Sequence, residues 1–227
     1  MMDINNLAKI IAATITFILS IIVGLRVYSL NPRESLNRWF TLFFLSSSLG
    51  FAIYTIYHLI LNNPHVIIPL MVTGQIFFNL FPVSLVMTVF ILEKYKKVAM
   101  SFKYLGSMII VLILMSFGYF VWPPTLNIIR YGLHIVDTET PLYWFIFVNI
   151  IRAILSMYIV YKYAIIAKKV EETTKKKIQW FLVGIIIVIL ALIINIIGGV
   201  IESIIVEIIA LITIDIGSLA ILKGFLL

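Results

Sequence analysis

Seven runs of apolar residues follow one another along almost the whole of this chain. They cover residues 7–28, 36–61, 66–92, 104–121, 142–164, 178–197 and 203–222. A helix needs about 20 apolar residues to cross the roughly 30 Å hydrocarbon core of a bilayer, and each run is close to that length or longer. In lipid the backbone must satisfy its hydrogen bonds within one segment, which favours helices. The sequence therefore predicts an all-α integral membrane protein that folds as a bundle of seven transmembrane helices.

The connections between these runs are too short to form a second domain. The chain has 227 residues, of which 63% are hydrophobic and 12% are charged. A typical soluble domain is about half apolar and about a quarter charged. We therefore expect a single seven-helix domain over residues 1–227, with no soluble domain. Such a chain is a multi-pass protein of the cell membrane, and membrane lipid is its first partner.

Basic residues concentrate on one side of the predicted bundle. Of the 17 lysine and arginine residues, 14 fall on the side of the first, third and fifth connections and the C-terminus: Arg26, Arg33, Arg38, Lys94, Lys96, Lys97, Lys103, Lys162, Lys168, Lys169, Lys175, Lys176, Lys177 and Lys223. The positive-inside rule places that side in the cytoplasm. We therefore predict that the N-terminus is outside and the C-terminus inside. The same bias accounts for the net charge of +7, so we expect no nucleic-acid partner.

Residues 125–141 form the one long connection, between the fourth and fifth spans. Tyr131, Leu133 and Ile135 are spaced at the two-residue period of a strand, and residues 137–140 have the composition of a turn. We predict a small β-hairpin here, lying over the outer opening of the bundle.

Three charged residues lie four or more positions inside the ends of the apolar runs, where each one costs free energy of insertion. Arg152 lies near the middle of the fifth span, while Glu207 and Asp215 lie in the seventh. The two acids are eight residues apart, so they share one helix face. We predict that Arg152 forms a buried ion pair with one of them. Glu207 is the favoured partner because it lies nearer the outer opening.

Neutral polar residues collect at a similar depth in the outer half of the bundle. Gln75 and Asn79 are four residues apart on the third span, so they share a face. Together with residues of three other spans they predict a ligand pocket that opens outward, lined by Gln75, Asn79, Asn149, Arg152, Asn195 and Glu207. Two other interpretations remain open. The same residues could form a hydrogen-bond network that only holds the helices together, or they could line a path for protons or ions.

The sequence carries no recognisable catalytic pattern. The HExxH and GxSxG motifs are absent, and the chain has no cysteine and only three scattered histidines. Metal ligands usually come as clusters of such residues at short spacings. We therefore predict no enzymatic activity, no metal site and no cofactor.

Residues 31–60, NPRESLNRWFTLFFLSSSLGFAIYTIYHLI, resemble the start of the N-terminal seven-helix sensor region of some histidine kinases. In that family an asparagine in the first inner loop precedes a phenylalanine-rich second span, as Asn37 does here. The Phe81-Pro82 pair in the third span, the segment 130–144 and the basic Lys223 near the end of the seventh span are similar too. The sequence departs from the family in two respects. It lacks a proline early in the last span, and it stops at Leu227 with no kinase domain.

The resemblance implies a receptor-like or sensory module. We expect it to bind an unidentified small molecule in the outer half of the bundle. The resemblance implies either an excised sensor module or a standalone one that signals through a separate partner protein. A small transporter or channel, or a structural subunit of a membrane complex, remains the alternative.

Overall fold

The computed structural model describes residues 3–226 and confirms an all-α bundle with seven helices long and apolar enough to cross a membrane. Those seven are α1 (Ile4–Leu30), α2 (Ser35–Leu59), α3 (Pro64–Ala99), α4 (Ser107–Val121), α6 (Leu142–Ala167), α7 (Glu172–Val200) and α8 (Ile204–Leu226). A π-helical turn, Phe102–Gly106, leads directly into α4. The short α5 (Ile128–Gly132) and the strands β1 (Thr125–Leu126) and β2 (Thr138–Glu139) lie between α4 and α6.

Capping residues and prolines mark the ends of the first helices. Asp3 caps α1, accepting a hydrogen bond from the Asn5 backbone at 2.7 Å. Asn31 ends α1 just before Pro32. Pro64 is the first residue of α3, where its missing N–H costs nothing. The predicted bounds of these spans therefore agree with the structure to within a few residues.

Helix α3 runs further than the sequence predicts. The basic residues that follow the third apolar run continue the helix to Ala99 instead of forming a turn. Lysine is a good helix former, so a lysine-rich segment can extend a helix beyond the lipid. Only Tyr95 departs from helical geometry within α3, with φ 60° and ψ 156°. This break separates the transmembrane part of α3 from its last turn.

Six of the helices form a closed ring. In order around the ring, α1 packs on α2, α2 on α3, α3 on α6, α6 on α7, α7 on α8, and α8 on α1. Helix α4 lies outside the ring and packs against α3 and α6. It is the least buried of the seven spans, with 22% of its residues buried. The ring, without α4, therefore encloses the interior of the bundle.

The ring has two chemically different ends. We call the end that carries residues 122–141 and the α7–α8 turn the open end. The other end carries the α1–α2 turn, residues 94–103 and the α6–α7 turn, and we call it the lysine-rich end. Which end faces the cell exterior stays a prediction from the charge distribution.

The connection between α4 and α6 differs from the predicted hairpin. Two residues on each side pair antiparallel, Thr125 with Glu139 and Leu126 with Thr138. The segment between them contains the helix α5, which includes Tyr131, instead of a strand and a tight turn. Asn127 caps α5 by accepting from the Arg130 backbone at 3.1 Å. This cap accounts for the helical turn that the weak alternation did not predict.

Aromatic side chains fill the ring towards the lysine-rich end. The Phe40 ring meets the Phe181 ring edge-on at 5.9 Å and the Phe225 ring at 5.5 Å, between ring centroids. Tyr163 packs against the same group and bonds to Thr88 at 2.7 Å. Edge-to-face packing of this kind stabilises a core beyond its buried area. This half of the ring is therefore a packed core.

Helices α7 and α8 approach each other more closely than ordinary side chains allow. A Cβ atom placed on Gly184 would lie 2.6 Å from the Gly217 carbonyl oxygen. One on Gly224 would lie 2.8 Å from the Lys177 carbonyl oxygen. Glycine at such positions lets two helix backbones come into contact. Helices α7 and α8 therefore form one tightly packed antiparallel pair.

Candidate functional site: a polar vestibule above an apolar chamber

A large cavity of about 480 Å³ opens at the open end of the ring. We call it the vestibule. Its lining is about equally polar and apolar, and the polar residues include Lys9, Tyr57, His58, Tyr119, Arg130, Asp137, Glu139, Asn149, Glu202 and Glu207. The walls come from the ring helices, while the roof comes from the connection between α4 and α6.

A second cavity, of about 160 Å³, lies deeper in the ring, and we call it the chamber. Its lining is mainly apolar and includes Val23, Phe43, Phe44, Phe51, Phe78, Phe81, Val188, Leu192, Ile214 and Ile221. Five residues line both cavities: Tyr54, Gln75, Arg152, Asn195 and Leu211. We call these five the boundary layer. The two cavities therefore meet at this layer, with the charged and polar side chains above it and a mainly apolar wall below.

Arg152 is the charged member of the boundary layer. It lies in the middle of α6, and only 9% of the residue is exposed. Its guanidinium donates to Asn79 Oδ1 from Nε at 3.0 Å and from Nη2 at 2.7 Å. Nη2 also donates to Gln75 Oε1 at 2.8 Å, and Nη1 donates to Asn149 Oδ1 at 3.3 Å. The acceptors are amide oxygens, which carry no net charge.

This arrangement leaves the guanidinium without a counter-charge. An arginine side chain has five N–H donors. Nη1 carries two of them, and only one finds an acceptor, on Asn149, among the described residues. No carboxylate of residues 3–226 lies within salt-bridge distance of Arg152. A buried cation of this kind favours an anionic ligand or water at its free edge.

The amides that hold Arg152 are themselves fixed by α4. Asn79 is fully buried and donates through Nδ2 to the Met115 carbonyl oxygen at 2.9 Å and to Ser116 Oγ at 3.2 Å. Tyr119 donates to Gln75 Oε1 at 3.3 Å. The Asn79 amide therefore has its oxygen pointed at the guanidinium by bonds from behind, whereas the Gln75 oxygen accepts from both Tyr119 and Arg152. The site is pre-organised around the position of Arg152.

The predicted ion pair between Arg152 and the seventh span is wrong. Glu207 instead accepts from Lys9 Nζ at 2.6 Å. Asp215 accepts a short hydrogen bond from Thr16. The reason is the order of the helices: α8 packs between α7 and α1, whereas α6 packs between α3 and α7. The acids of α8 therefore face α1, and Arg152 faces α3.

The roof of the vestibule is held by Arg130. Its Nη1 lies 2.5 Å from Asp137 Oδ2, and its Nη2 donates to the Glu202 carbonyl oxygen at 3.5 Å. The Asp137 carboxylate raises the pKa of Arg130, so this arginine stays charged. Tyr131 adds a bond to the Ile60 carbonyl oxygen at 3.3 Å. The roof is thus tied both to the α7–α8 turn and to the α2–α3 turn.

The structure brings all six predicted ligand-binding residues to this region of the ring. Gln75, Arg152 and Asn195 lie in the boundary layer, and Asn149 and Glu207 line the vestibule. Asn79 does not line either cavity, because it lies behind Arg152 and positions it. Whether these residues bind a ligand stays a prediction.

Several important residues were not predicted. Lys9 was not singled out as a buried charge, yet it is 2% exposed within α1. Thr16 and Tyr119 were not singled out at all, and among the chamber phenylalanines Phe81 was named only for the family resemblance. The signal for Lys9 was present, because a lysine inside the first apolar helix requires an acid at equal depth. Within residues 3–226, no group of three or more histidines and acids is placed to hold a metal ion.

No protein-family model matches this chain, and no curated protein matches it significantly. The resemblance to the sensor region of histidine kinases therefore stays a prediction.

Proposed function

We propose that this chain is a receptor-like or sensory membrane module that binds a small molecule inside the helix ring. The observation that carries the proposal is the buried guanidinium of Arg152 at the floor of an open vestibule, which has a free N–H and no acid partner among residues 3–226. A group that only braced the bundle would have its charge neutralised by the protein. Here the position opposite Arg152 is left for a molecule from outside the chain.

The direction of binding follows from the charge distribution. The open end carries few basic residues, whereas 14 of the 17 lysines and arginines belong to the other side. The positive-inside rule therefore supports an open end that faces the exterior. Under this proposal the ligand enters from outside and the signal leaves at the lysine-rich end, where a separate protein receives it.

Polar bonds divide the ring into two groups of helices. In the first group, α3 and α6 are joined by Asn79 with Arg152, by Thr88 with Tyr163 at 2.7 Å, and by Glu93 with Lys162 at 2.8 Å. In the second group, α1 is joined to α2 and to α8, for example by the bond from Asn6 to the His58 carbonyl oxygen at 2.9 Å. Glycine packing joins α7 to α8.

The contacts between the two groups are packing contacts, and the α2–α3 contact is a close one in which Gly50 of α2 lies against Phe78 of α3. No side-chain hydrogen bond crosses the α2–α3 or the α6–α7 contact in the part of the chain that the structure describes. Arg152 belongs to the first group and Asn195, on α7, to the second. A ligand that touches both residues would link the two groups at the boundary layer. Such a link would change how α6 and α7 sit relative to each other at their lysine-rich ends.

The packed aromatic core below the chamber favours a receptor over an open channel. Phe40, Phe181 and Phe225 fill the ring between the chamber and the lysine-rich end. Displacing such a core costs several kcal/mol, of the order of about 3 to 5 for a single phenylalanine. The core joins both helix groups, because Tyr163 of α6 packs on Phe181 of α7 at 5.0 Å between ring centroids, so the groups can move only in ways that keep these rings packed.

The decisive experiment measures distances at the lysine-rich end. The chain has no cysteine, so spin labels can be placed at two introduced cysteines without background. The pair Lys97→Cys and Thr174→Cys spans the two helix groups, and both positions are exposed. The control pair Lys97→Cys and Lys168→Cys lies within the α3–α6 group. The purified protein in lipid nanodiscs is titrated with a panel of small carboxylates, amino acids, alcohols and inorganic anions.

We expect at least one compound to raise the unfolding temperature and to change the Lys97–Thr174 distance while the control distance stays constant. The same compounds should show no flux into proteoliposomes that contain the chain alone. Flux of a bound compound would instead assign the chain as a transporter. Binding that leaves both distances unchanged would also contradict the sensory function.

A further inference from the structure

We propose that the ligand is a small carboxylate that carries one compact apolar group. Its carboxylate lies against Arg152, and its apolar group lies in the chamber. This inference deepens the proposed sensory function. It rests on that function only in treating the bound molecule as the signal that the module senses. Binding itself can be tested whatever the signal is.

The first argument is that one of the three basic side chains in the cavities has no carboxylate partner among the described residues. Lys9, Arg130 and Arg152 are the lysine and arginine side chains that line the two cavities. Lys9 lies 2.6 Å from Glu207, and Arg130 lies 2.5 Å from Asp137. Only Arg152, of these three, has no carboxylate partner among the described residues. An anion that enters the vestibule therefore finds its one unneutralised partner at the floor.

The second argument is the geometry of that partner. A guanidinium N–H makes a charge-assisted hydrogen bond to an oxyanion, which is stronger than a bond between neutral groups. The Nε and Nη2 edge of Arg152 is already held by Asn79 and Gln75, so the free Nη1 hydrogen remains for the ligand. Asn195 and Tyr54 in the boundary layer offer polar groups at the same level. Together they can hold one oxyanion head group.

The third argument is the change of polarity directly below the boundary layer. On α3, Gln75 is followed one turn deeper by Phe78 and then by Phe81. On α7, Asn195 is followed in the same direction by Leu192 and Val188. Each of these helices therefore presents a polar residue at the level of Arg152 and apolar residues beneath it. A bound molecule must show the same order, with a charged head and an apolar end.

The polar atoms that remain in the chamber do not change this conclusion. Ser20 and Ser47 lie 3.2 Å apart and bond to each other across the α1–α2 contact. Ser156 is buried on α6, one turn below Arg152. Most of the remaining lining is aliphatic or aromatic, with five phenylalanines among its residues. An apolar group in this space is solvated by the protein instead of by water.

The size of the chamber limits the apolar group. Its volume is about 160 Å³. An apolar cavity of about 150 Å³ lined by leucine, isoleucine and phenylalanine holds one benzene molecule. A phenyl ring or a short alkyl chain therefore fits, whereas the two acyl chains of a phospholipid do not. This restricts the ligand to the class of aryl carboxylates and short-chain fatty acids.

The test compares three probes that separate the head group from the apolar group. The probes are 3-phenylpropionate, its neutral analogue 3-phenylpropan-1-ol, and acetate, each titrated calorimetrically into the full chain in nanodiscs. We expect 3-phenylpropionate to bind about tenfold more tightly than either of the other two, which corresponds to one charge-assisted contact or one buried apolar group. Hexanoate should behave like 3-phenylpropionate.

Two variants assign the parts of the site. Arg152→Met should remove the preference for the acid over the alcohol, whereas Lys103→Met, which removes an exposed cation at the lysine-rich end, should leave it unchanged. Ser156→Leu fills the chamber without touching the guanidinium. It should weaken the binding of 3-phenylpropionate and leave the binding of acetate unchanged. If Arg152→Met does not fold, Arg152→Gln takes its place and should lose the same preference.

Each outcome has a distinct meaning. If acetate or chloride binds as tightly as 3-phenylpropionate, the apolar part of the proposal is wrong. If the alcohol binds as tightly as the acid, or if Arg152→Met keeps the preference, the carboxylate part is wrong. If other compounds of the panel bind and change the Lys97–Thr174 distance while carboxylates do not bind, the ligand class is wrong but the sensory function stands. If 3-phenylpropionate binds as expected and is carried across the membrane, the ligand class stands and the sensory function falls.

Discussion

Lys9 Nζ on α1 and Glu207 Oε2 on α8 lie 2.6 Å apart and close the ring between its first and last helices. The lysine side chain is 3% exposed and the glutamate side chain 24%, so the pair is largely withdrawn from water. Breaking a pair of this kind leaves one charge unpaired in a poorly solvated place. The contact therefore stabilises the vestibule wall that α1 and α8 share.

A double-mutant cycle measures this contact. We expect Lys9→Met and Glu207→Gln to show a coupling free energy of about 1 to 3 kcal/mol in thermal or denaturant unfolding of the purified protein. The matched cycle of Arg152→Met with Glu207→Gln should give a coupling within about 0.5 kcal/mol of zero, because these residues share no contact. A large coupling in the second cycle would restore the ion pair that the sequence predicted.

The bond from Thr16 to Asp215 predicts a second effect on stability. Both residues are buried, with 1% of Thr16 and 8% of Asp215 exposed. The Thr16 hydroxyl donates a hydrogen bond to the Asp215 carboxylate. Thr16→Val keeps the shape but removes the donor, so it should lower the free energy of unfolding by about 1 to 3 kcal/mol. Thr213→Val is the control, because the Thr213 hydroxyl is exposed and bonds only to its own helix, at the Ile209 carbonyl oxygen. Equal losses in both variants would contradict a specific role for the Thr16 bond.

The close approach of α7 and α8 predicts that a single methyl group is harmful. In Gly184→Ala the new Cβ would lie 2.6 Å from the Gly217 carbonyl oxygen and 2.8 Å from the Ile221 backbone nitrogen. Because backbone atoms cannot move aside cheaply, we expect a loss of about 1 to 3 kcal/mol in unfolding free energy. At Gly132 nothing lies within 4 Å of the added atom, so Gly132→Ala should change stability by less than about 0.5 kcal/mol. If Gly184→Ala left the unfolding free energy unchanged, the two helices would have to lie further apart than described.

Membrane orientation can be tested by thiol labelling. Gly132→Cys lies on the roof at the open end, and Thr174→Cys lies at the lysine-rich end; both positions are exposed. In intact cells a membrane-impermeant maleimide should label Gly132→Cys, while Thr174→Cys should react only after the membrane is permeabilised. The parent chain is a complete negative control because it has no cysteine. The reverse pattern would invert the topology and place the vestibule in the cytoplasm.

The positions of the spans could be predicted because they depend on one local property. A run of about 20 apolar residues has no other stable place than a bilayer, and prolines such as Pro64 mark where a run ends. Where the local property was weak, the prediction failed. The lysines after the third run continue α3 to Ala99, since nothing in their sequence stops a helix.

The partners of Arg152 could not be predicted, because depth in the membrane does not reveal which helices are neighbours. Arg152 and Glu207 were placed at compatible depths, but α6 packs on α3 and α8 packs on α1. Gln75 and Asn79 were expected at a depth similar to that of Arg152, and together on one face of α3. Their role as its acceptors follows only from the order of the ring.

The position of α4 outside the ring makes the bilayer itself a component of the cavity. Lipid surrounds most of this helix, yet its Met115 and Ser116 hold the amide of Asn79, which in turn holds Arg152. A thicker or thinner membrane changes the preferred tilt of a helix that no ring contact confines on its outer side. Any such tilt shifts the two acceptors on α4, and with them the guanidinium. If the cavity binds a ligand as proposed, we expect its affinity to depend on the thickness of the membrane in which it is measured.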